Sequence, residues 1–130
     1  MKVMALDYGS ARTGVAVSDA TGTLARPLGV VERASTEAGL AELARLVRDE
    51  EAERVVVGLP LTMRGARGEQ AAETERFVEA LRGAVAVPVE LYDERFTTDL
   101  AQQTAGKAPE DALAAAHLLS TYLEWCAARS

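Results

Sequence analysis

The chain has 130 residues, enough for a single domain (residues 1–130) with one hydrophobic core, and its apolar and charged fractions, 48% and 26%, are ordinary for a globular protein. One cysteine excludes an internal disulfide and multi-cysteine zinc patterns, and no apolar run approaches the ~20 residues of a membrane span, so we expect a cytoplasmic protein without membrane contact. The net charge of -6 argues against broad, unspecific binding of nucleic acid and leaves room for a local group of arginines.

The first third of the chain predicts three β-strands. Residues 3–6 form a continuous apolar run, typical of a buried strand, which delivers Asp7 to its C-terminal end. Gly9 follows in the turn, and because glycine has no β-carbon, a second strand or a phosphate can come close to the backbone there. Residues 12–19 predict a second strand that returns antiparallel, and residues 27–32 predict a third.

The remaining residues predict alternating helices and strands. In order, these are a helix over about 36–51, a strand over 54–60, a helix over 69–82 that Gly83 ends, a strand over 85–92, a short helix from Thr97 and a last helix after Pro109. Early antiparallel pairing followed by strand–helix–strand crossovers predicts an α/β fold, a five-stranded mixed sheet with helices on both faces. We expect the fourth strand to be central and parallel, and Pro88 to mark an edge strand or the start of a strand.

Four acidic residues lie at positions that can converge in such a sheet. Asp7 ends the first strand, Asp93 and Glu94 end the fifth, and Asp111 lies in the first turn of the last helix. Asp111 shares its helix face with apolar residues such as Leu118, so it should point toward the sheet.

Clustered carboxylates favour a bound cation. Carboxylates that lie close together repel one another and raise one another's pKa values, and a bound cation offsets this repulsion. Mg²⁺ and Mn²⁺ prefer oxygen ligands, and a pair of such ions can activate a water for attack on a phosphodiester. The acids therefore predict Mg²⁺- or Mn²⁺-dependent nuclease chemistry.

Four arginines lie in predicted loops beside strand ends and are candidates for contacts to substrate phosphates: Arg12, Arg64, Arg67 and Arg95. Simpler interpretations stay open. Asp93 and Asp111 can cap turns or helices, and Glu94 can form a structural ion pair with the arginine that follows it. Whether Asp93 or Glu94 faces the site also stays open, because a shift of one residue reverses the side chains of a strand.

Four ordered sequence blocks resemble those of one protein family. They are Leu6-Asp7-Tyr8-Gly9 with Arg12 and Gly14-Val15-Ala16, Val57-Gly58-Leu59-Pro60-Leu61, Asp93-Glu94-Arg95 with Thr97-Thr98, and Asp111 with Ala114-Ala115 and Tyr122-Leu123. Together they resemble the YqgF family of ribonuclease H-like proteins, described as pre-16S rRNA nucleases or as Holliday-junction-resolvase-like proteins. The chain differs from the family between Thr98 and Asp111, where Lys107 is the only basic residue.

The resemblance implies a ribonuclease H-like sheet and metal-dependent hydrolysis of phosphodiester bonds at the 5′ end of precursor 16S ribosomal RNA, in ribosome biogenesis. It implies that Asp7, Glu94 and Asp111 bind the metal and that Asp93 is a neighbour able to substitute. The partner would be precursor ribosomal RNA or branched DNA, bound by a monomer or a homodimer. Two alternatives remain: a Holliday-junction-type DNA resolvase, whose symmetric cut needs a dimer, and a non-catalytic RNA-binding ribosome-assembly factor, which the acidic charge favours.

Overall fold

The computed structural model of the protein describes residues 1–59, 69–93 and 110–129. In these ranges the elements are, in chain order, β1 Val3–Asp7, β2 Arg12–Ser18, β3 Ala25–Glu32, α1 Glu37–Asp49, β4 Arg54–Leu59, α2 Glu69–Ala84, β5 Val89–Asp93 and α3 Glu110–Arg129. The short helix predicted from Thr97 lies outside the described residues. None of the described helices is long and apolar enough to cross a membrane.

The five strands form one mixed sheet in the order β3-β2-β1-β4-β5. The first three strands pair antiparallel, and β4 pairs in parallel with both β1 and β5. The predicted α/β architecture is therefore confirmed, with β4 inside the parallel part and β5 at one end of the described sheet. Because β1, β4 and β5 run in the same direction, their C-terminal ends lie at one edge.

The sheet is covered on both faces, which explains the continuous apolar run in β1. Met4 and Leu6 belong to a core cluster with residues of α1 and α2, such as Leu43 and Phe77. The alternate residues Val3 and Ala5 belong to a second cluster, with α3 residues that include Leu118 and Tyr122. Each large buried side chain contributes roughly 1.5–3 kcal/mol, so a strand that is apolar on both faces anchors both layers.

Two polar contacts fix the far end of α3 against the sheet. Arg54 Nη1 donates to the Tyr122 hydroxyl at 2.9 Å, and that hydroxyl donates to Glu90 Oε1. The Tyr122 ring also meets the Tyr92 ring edge-on, with centroids 5.5 Å apart. This end of the helix is thus tied to the beginnings of β4 and β5, away from the edge at which β1 ends.

Three predicted boundaries need correction or refinement. The helix predicted to stop at Gly83 runs on to Ala84, since a glycine ends a helix by adopting a left-handed conformation, which Gly83 does not have. The strand predicted from residue 85 begins only at Val89, and the carbonyl of Pro88 accepts the Val55 N–H at 2.9 Å. Helix α1 begins after Thr36, whose hydroxyl accepts a backbone N–H from the first turn at 3.1 Å.

Candidate active site

Asp7 lies at the edge where the three parallel strands end. It is the last residue of β1 and is half-buried. Val3 and Ala5 face α3, and strand side chains alternate between the two faces, so Asp7 lies on the α3 side of the sheet.

Helix α3 begins directly beside Asp7 because a glycine lets it approach. Asp7 pairs with Gly14 across the β1–β2 hairpin, and opposed residues of an antiparallel pair have Cα atoms about 4.5–5.5 Å apart. A β-carbon built on Gly14 would lie 1.8 Å from the carbonyl oxygen of Asp111 and 3.0 Å from the backbone nitrogen of Ala112. The first turn of α3 therefore rests on the backbone of β2, one strand from Asp7. This role of Gly14 was not predicted from the sequence.

Arg12 places a positive charge against one of these acids, Asp111. Its Nε lies 3.3 Å from Asp111 Oδ2, and the two side chains are 65% and 35% exposed. Arg12 starts β2 two residues before Gly14, so strand alternation puts both on the α3 side. An exposed ion pair of this kind contributes only about 0.2–1 kcal/mol to stability. The pair therefore matters less for stability than for the position of the Arg12 guanidinium, which it holds beside Asp111.

The hairpin turn before Arg12 is tightly closed. A β-carbon on Gly9 would lie 2.5 Å from the carbonyl oxygen of Arg12, so this turn excludes a larger residue. The Thr13 hydroxyl accepts the Gly9 N–H and donates to its carbonyl, each at 3.4 Å. The N–H of Arg33 donates to Ala11 O at 3.0 Å and ties the turn to the end of β3. These contacts fix the backbone that carries Arg12.

Tyr8 fixes the other side of the same edge, and the sequence reasoning missed it. Its ring stacks on Phe77 of α2, with centroids 4.4 Å apart, and its hydroxyl donates to Glu73 Oε2 at 2.7 Å. Burial and the neighbouring Glu73 carboxylate raise the pKa of Tyr8. The residue after Asp7 is thus anchored to the opposite layer, which holds the end of β1 in place. The sequence does contain one signal for this role: Tyr8 is an aromatic residue at the next position of the alternating pattern that marks the buried face of the strand.

The other predicted site residues are described only in part. Asp93 is the last residue of β5 and pairs with Leu59 of β4, so its backbone lies two strands from β1, roughly 10 Å at the usual strand spacing. The remaining candidates lie outside the described residues: Arg64, Arg67, Glu94 and Arg95.

The described acids suit a hard divalent cation but do not complete a site for one. Within the described ranges, no three side chains of the His, Cys, Asp and Glu types come together as a metal-binding group. Asp7 and Asp111 supply carboxylate oxygens, the ligands that Mg²⁺ and Mn²⁺ prefer. Their chemistry therefore fits such an ion, provided that further ligands join them.

Comparisons with known proteins identify the family and relatives of this chain. A family model described as RuvX, Holliday junction resolvase, matches residues 1–125. A relative from Chloroflexus aurantiacus, named "Putative pre-16S rRNA nuclease", is 43% identical over 131 residues, which cover 94% of this chain and 86% of the relative. A relative of the same name from Natranaerobius thermophilus is 36% identical over 133 residues, covering 95% and 94% of the two chains.

Solved structures show the fold. Thermus thermophilus RuvC in complex with a Holliday junction substrate matches with a TM-score of 0.62 and 22% identity, over 98% of this chain and 96% of that one. The fowlpox virus Holliday junction resolvase matches with a TM-score of 0.55 and 11% identity, over 96% and 99%. These likenesses confirm the predicted ribonuclease H-like fold. The family match and the relatives confirm the sequence resemblance as well: the chain belongs to the RuvX family, also called YqgF.

Proposed function

We propose that residues 1–130 form a single cytoplasmic domain that hydrolyses phosphodiester bonds with Mg²⁺ or Mn²⁺ and processes the 5′ end of precursor 16S ribosomal RNA during ribosome biogenesis. The names of the relatives support the substrate. The observation that carries the chemistry is the contact of the Asp111 backbone with Gly14, the residue paired with Asp7. Two acids from opposite ends of the chain thereby share one edge and one face of the sheet.

In this proposal Asp7, Asp111 and Glu94 bind the metal, and Asp93 is a neighbouring catalytic acid. When bound, the cation supplies water activation and stabilises the leaving oxygen. The protein's own part is to hold the carboxylates in place through the β1–β2 hairpin and the start of α3.

Arginines offset the negative charge at this edge and bind the substrate backbone. The candidates are Arg12, Arg64, Arg67 and Arg95. Arg12 is 65% exposed beside Asp111, and a guanidinium matches phosphate oxygens in a two-pronged geometry. Because the whole chain carries a net charge of -6, attraction of nucleic acid depends on this local group.

The test compares Asp7→Asn with Asp49→Asn on single-stranded RNA that spans the 5′ end of precursor 16S ribosomal RNA. Asp49 is a matched control because it is 57% exposed on α1 and pairs with Arg45. We expect Asp7→Asn to lower the rate of RNA cleavage by more than the roughly 10- to 100-fold that follows substitution of residues hydrogen-bonded to metal ligands. Its circular dichroism spectrum should match that of the wild type. Asp49→Asn should cleave like the wild type. Full cleavage by Asp7→Asn, or by the wild type in excess EDTA, contradicts the proposal.

A DNA junction resolvase is the second candidate, and the description of the matching family model favours it. A dimer acting on a four-way DNA junction should produce paired, symmetric nicks. Cleavage of RNA alone, by a protein that sediments as a monomer, removes this candidate.

The alternative of a non-catalytic assembly factor is tested by calorimetry with Mn²⁺. If the protein takes up no Mn²⁺ at millimolar concentrations of the ion, that alternative is supported.

A further inference from the structure

We propose that Arg12 is a positioning residue with two alternate partners: it pairs with Asp111 while no cation is bound, and it turns to a substrate phosphate once a divalent cation takes Asp111. This inference rests on the proposed function and deepens it. It makes one arginine responsible for linking occupation of the metal site to binding of the nucleic acid.

The geometry of the pair suits an exchange. The shortest contact between Arg12 and Asp111, from Nε to Oδ2, is 3.3 Å. Elsewhere in the chain Arg45 is held far more firmly, since three of its nitrogens reach Glu42 and Asp49 at 2.6–2.9 Å. A contact of this length, on a side chain that is 65% exposed, leaves the guanidinium able to change its partner.

The surroundings of Arg12 give it a place to turn. A surface groove of about 700 Å³ lies beside it, lined also by Arg33, Glu32 and Thr36. The backbone of Arg12 is fixed by the Gly9 turn, so only the side chain has to move.

The charges around Arg12 determine which partner it takes with and without the cation. Asp7 ends β1, and the Asp111 backbone in the first turn of α3 lies against Gly14, the residue paired with Asp7. A divalent cation held by both carboxylates would offset more negative charge than one guanidinium at Asp111 does. Once the cation is in place, its charge would repel Arg12. The anions then in its surroundings are Glu32, its cross-strand partner on β3, and the phosphates of a bound strand. Arg12 therefore competes with the metal when substrate is absent and supports substrate binding when the metal is present.

The first test measures Mn²⁺ binding by calorimetry on the intact protein without nucleic acid. Arg12→Gln is compared with Arg45→Gln, which removes the same charge from an exposed arginine on the other layer. We expect Arg12→Gln to raise the affinity for Mn²⁺ roughly 1.4-fold to fivefold over Arg45→Gln, the range that the energy of an exposed ion pair corresponds to. Thermal melts of both variants should match the wild type closely, because both sites are exposed.

The second test measures binding of a labelled single-stranded oligoribonucleotide by fluorescence anisotropy across salt concentrations. It is done once in EDTA and once in Ca²⁺, which shares the preference for oxygen ligands. In Ca²⁺, Arg12→Gln should weaken binding and reduce the slope of log affinity against log salt by roughly 0.7, the value for one phosphate contact on a single strand. In EDTA the slope should be unchanged.

Two results of the Arg12→Gln variant overturn the exchange while the proposed function stands. One is an unchanged Mn²⁺ affinity in Arg12→Gln, and another is an equal loss of RNA affinity with and without the cation, which identifies a plain phosphate contact. If the wild type takes up no cation at all, the metal-dependent proposed function fails together with the exchange. Normal uptake and cleavage with an unaffected Arg12→Gln variant refute the exchange alone.

Discussion

Gly14→Ala tests the geometry of the candidate site most directly. The added β-carbon would lie 1.8 Å from the Asp111 carbonyl oxygen and 2.3 Å from its carbonyl carbon, and both are backbone atoms that cannot rotate away. Because non-bonded atoms are best separated by about 3.5 Å, the start of α3 has to move outward by roughly 1.7 Å. Asp111 then moves away from Asp7.

The expected effect on stability follows from overpacking. Forcing a methyl group into a filled contact costs about 1–3 kcal/mol, and a domain of this size loses roughly 4 °C of melting temperature per kcal/mol. The effect on cleavage should be larger, since a 1 Å misplacement of catalytic groups can lower the rate about 10²-fold. Gly29→Ala is the matched control in β3, where a built β-carbon meets nothing within 4 Å. There we expect unchanged stability, or a gain of up to about 1 kcal/mol.

Urea denaturation followed by tryptophan fluorescence measures both variants. The chain has one tryptophan, Trp125, which lies in α3 and is 46% exposed, so the signal reports on the helix that moves. Cleavage of the precursor RNA and Mn²⁺ affinity are measured in parallel. If Gly14→Ala is as stable and as active as Gly29→Ala, the reasoning that α3 rests on the backbone of β2 is refuted.

Two further predictions concern buried tyrosines. Tyr8→Phe keeps the ring stack and loses the hydrogen bond to Glu73, so the free energy of unfolding should fall by about 0.5–1.5 kcal/mol in urea denaturation; no change would show that this bond does not hold the end of β1. Burial and the hydrogen bond to Glu90 raise the pKa of Tyr122, so the folded protein keeps the proton where the unfolded chain ionises. Stability should therefore fall as the pH rises above about 10. Tyr122→Phe should reduce this fall, and an equal fall in that variant would contradict the assignment.

Local sequence patterns were enough to predict the order of the strands and helices and the mixed sheet. Strands that are covered on both faces need apolar residues at every position, and residues 3–6 and 55–57 show this pattern. The position of Asp7 at a strand end follows from the same apolar run, because Asp7 is the first charged residue after it and marks where the buried part of the strand ends. The choice between Asp93 and Glu94, at the end of β5, depends on strand register, which composition does not fix.

The tertiary structure decided which distant residues meet. Gly14 and Asp111 come from opposite ends of the chain, and their contact depends on how α3 crosses β2. The pairing of Tyr8 with Glu73 is of the same kind. Periodicity shows which face of an element is buried, but not where along that face another element lies, since this is set by the fit of side chains and backbone between layers. The sequence by itself therefore determined the elements and their buried faces, and the packing of α3 on a glycine of β2 decided that two of the acids share one edge.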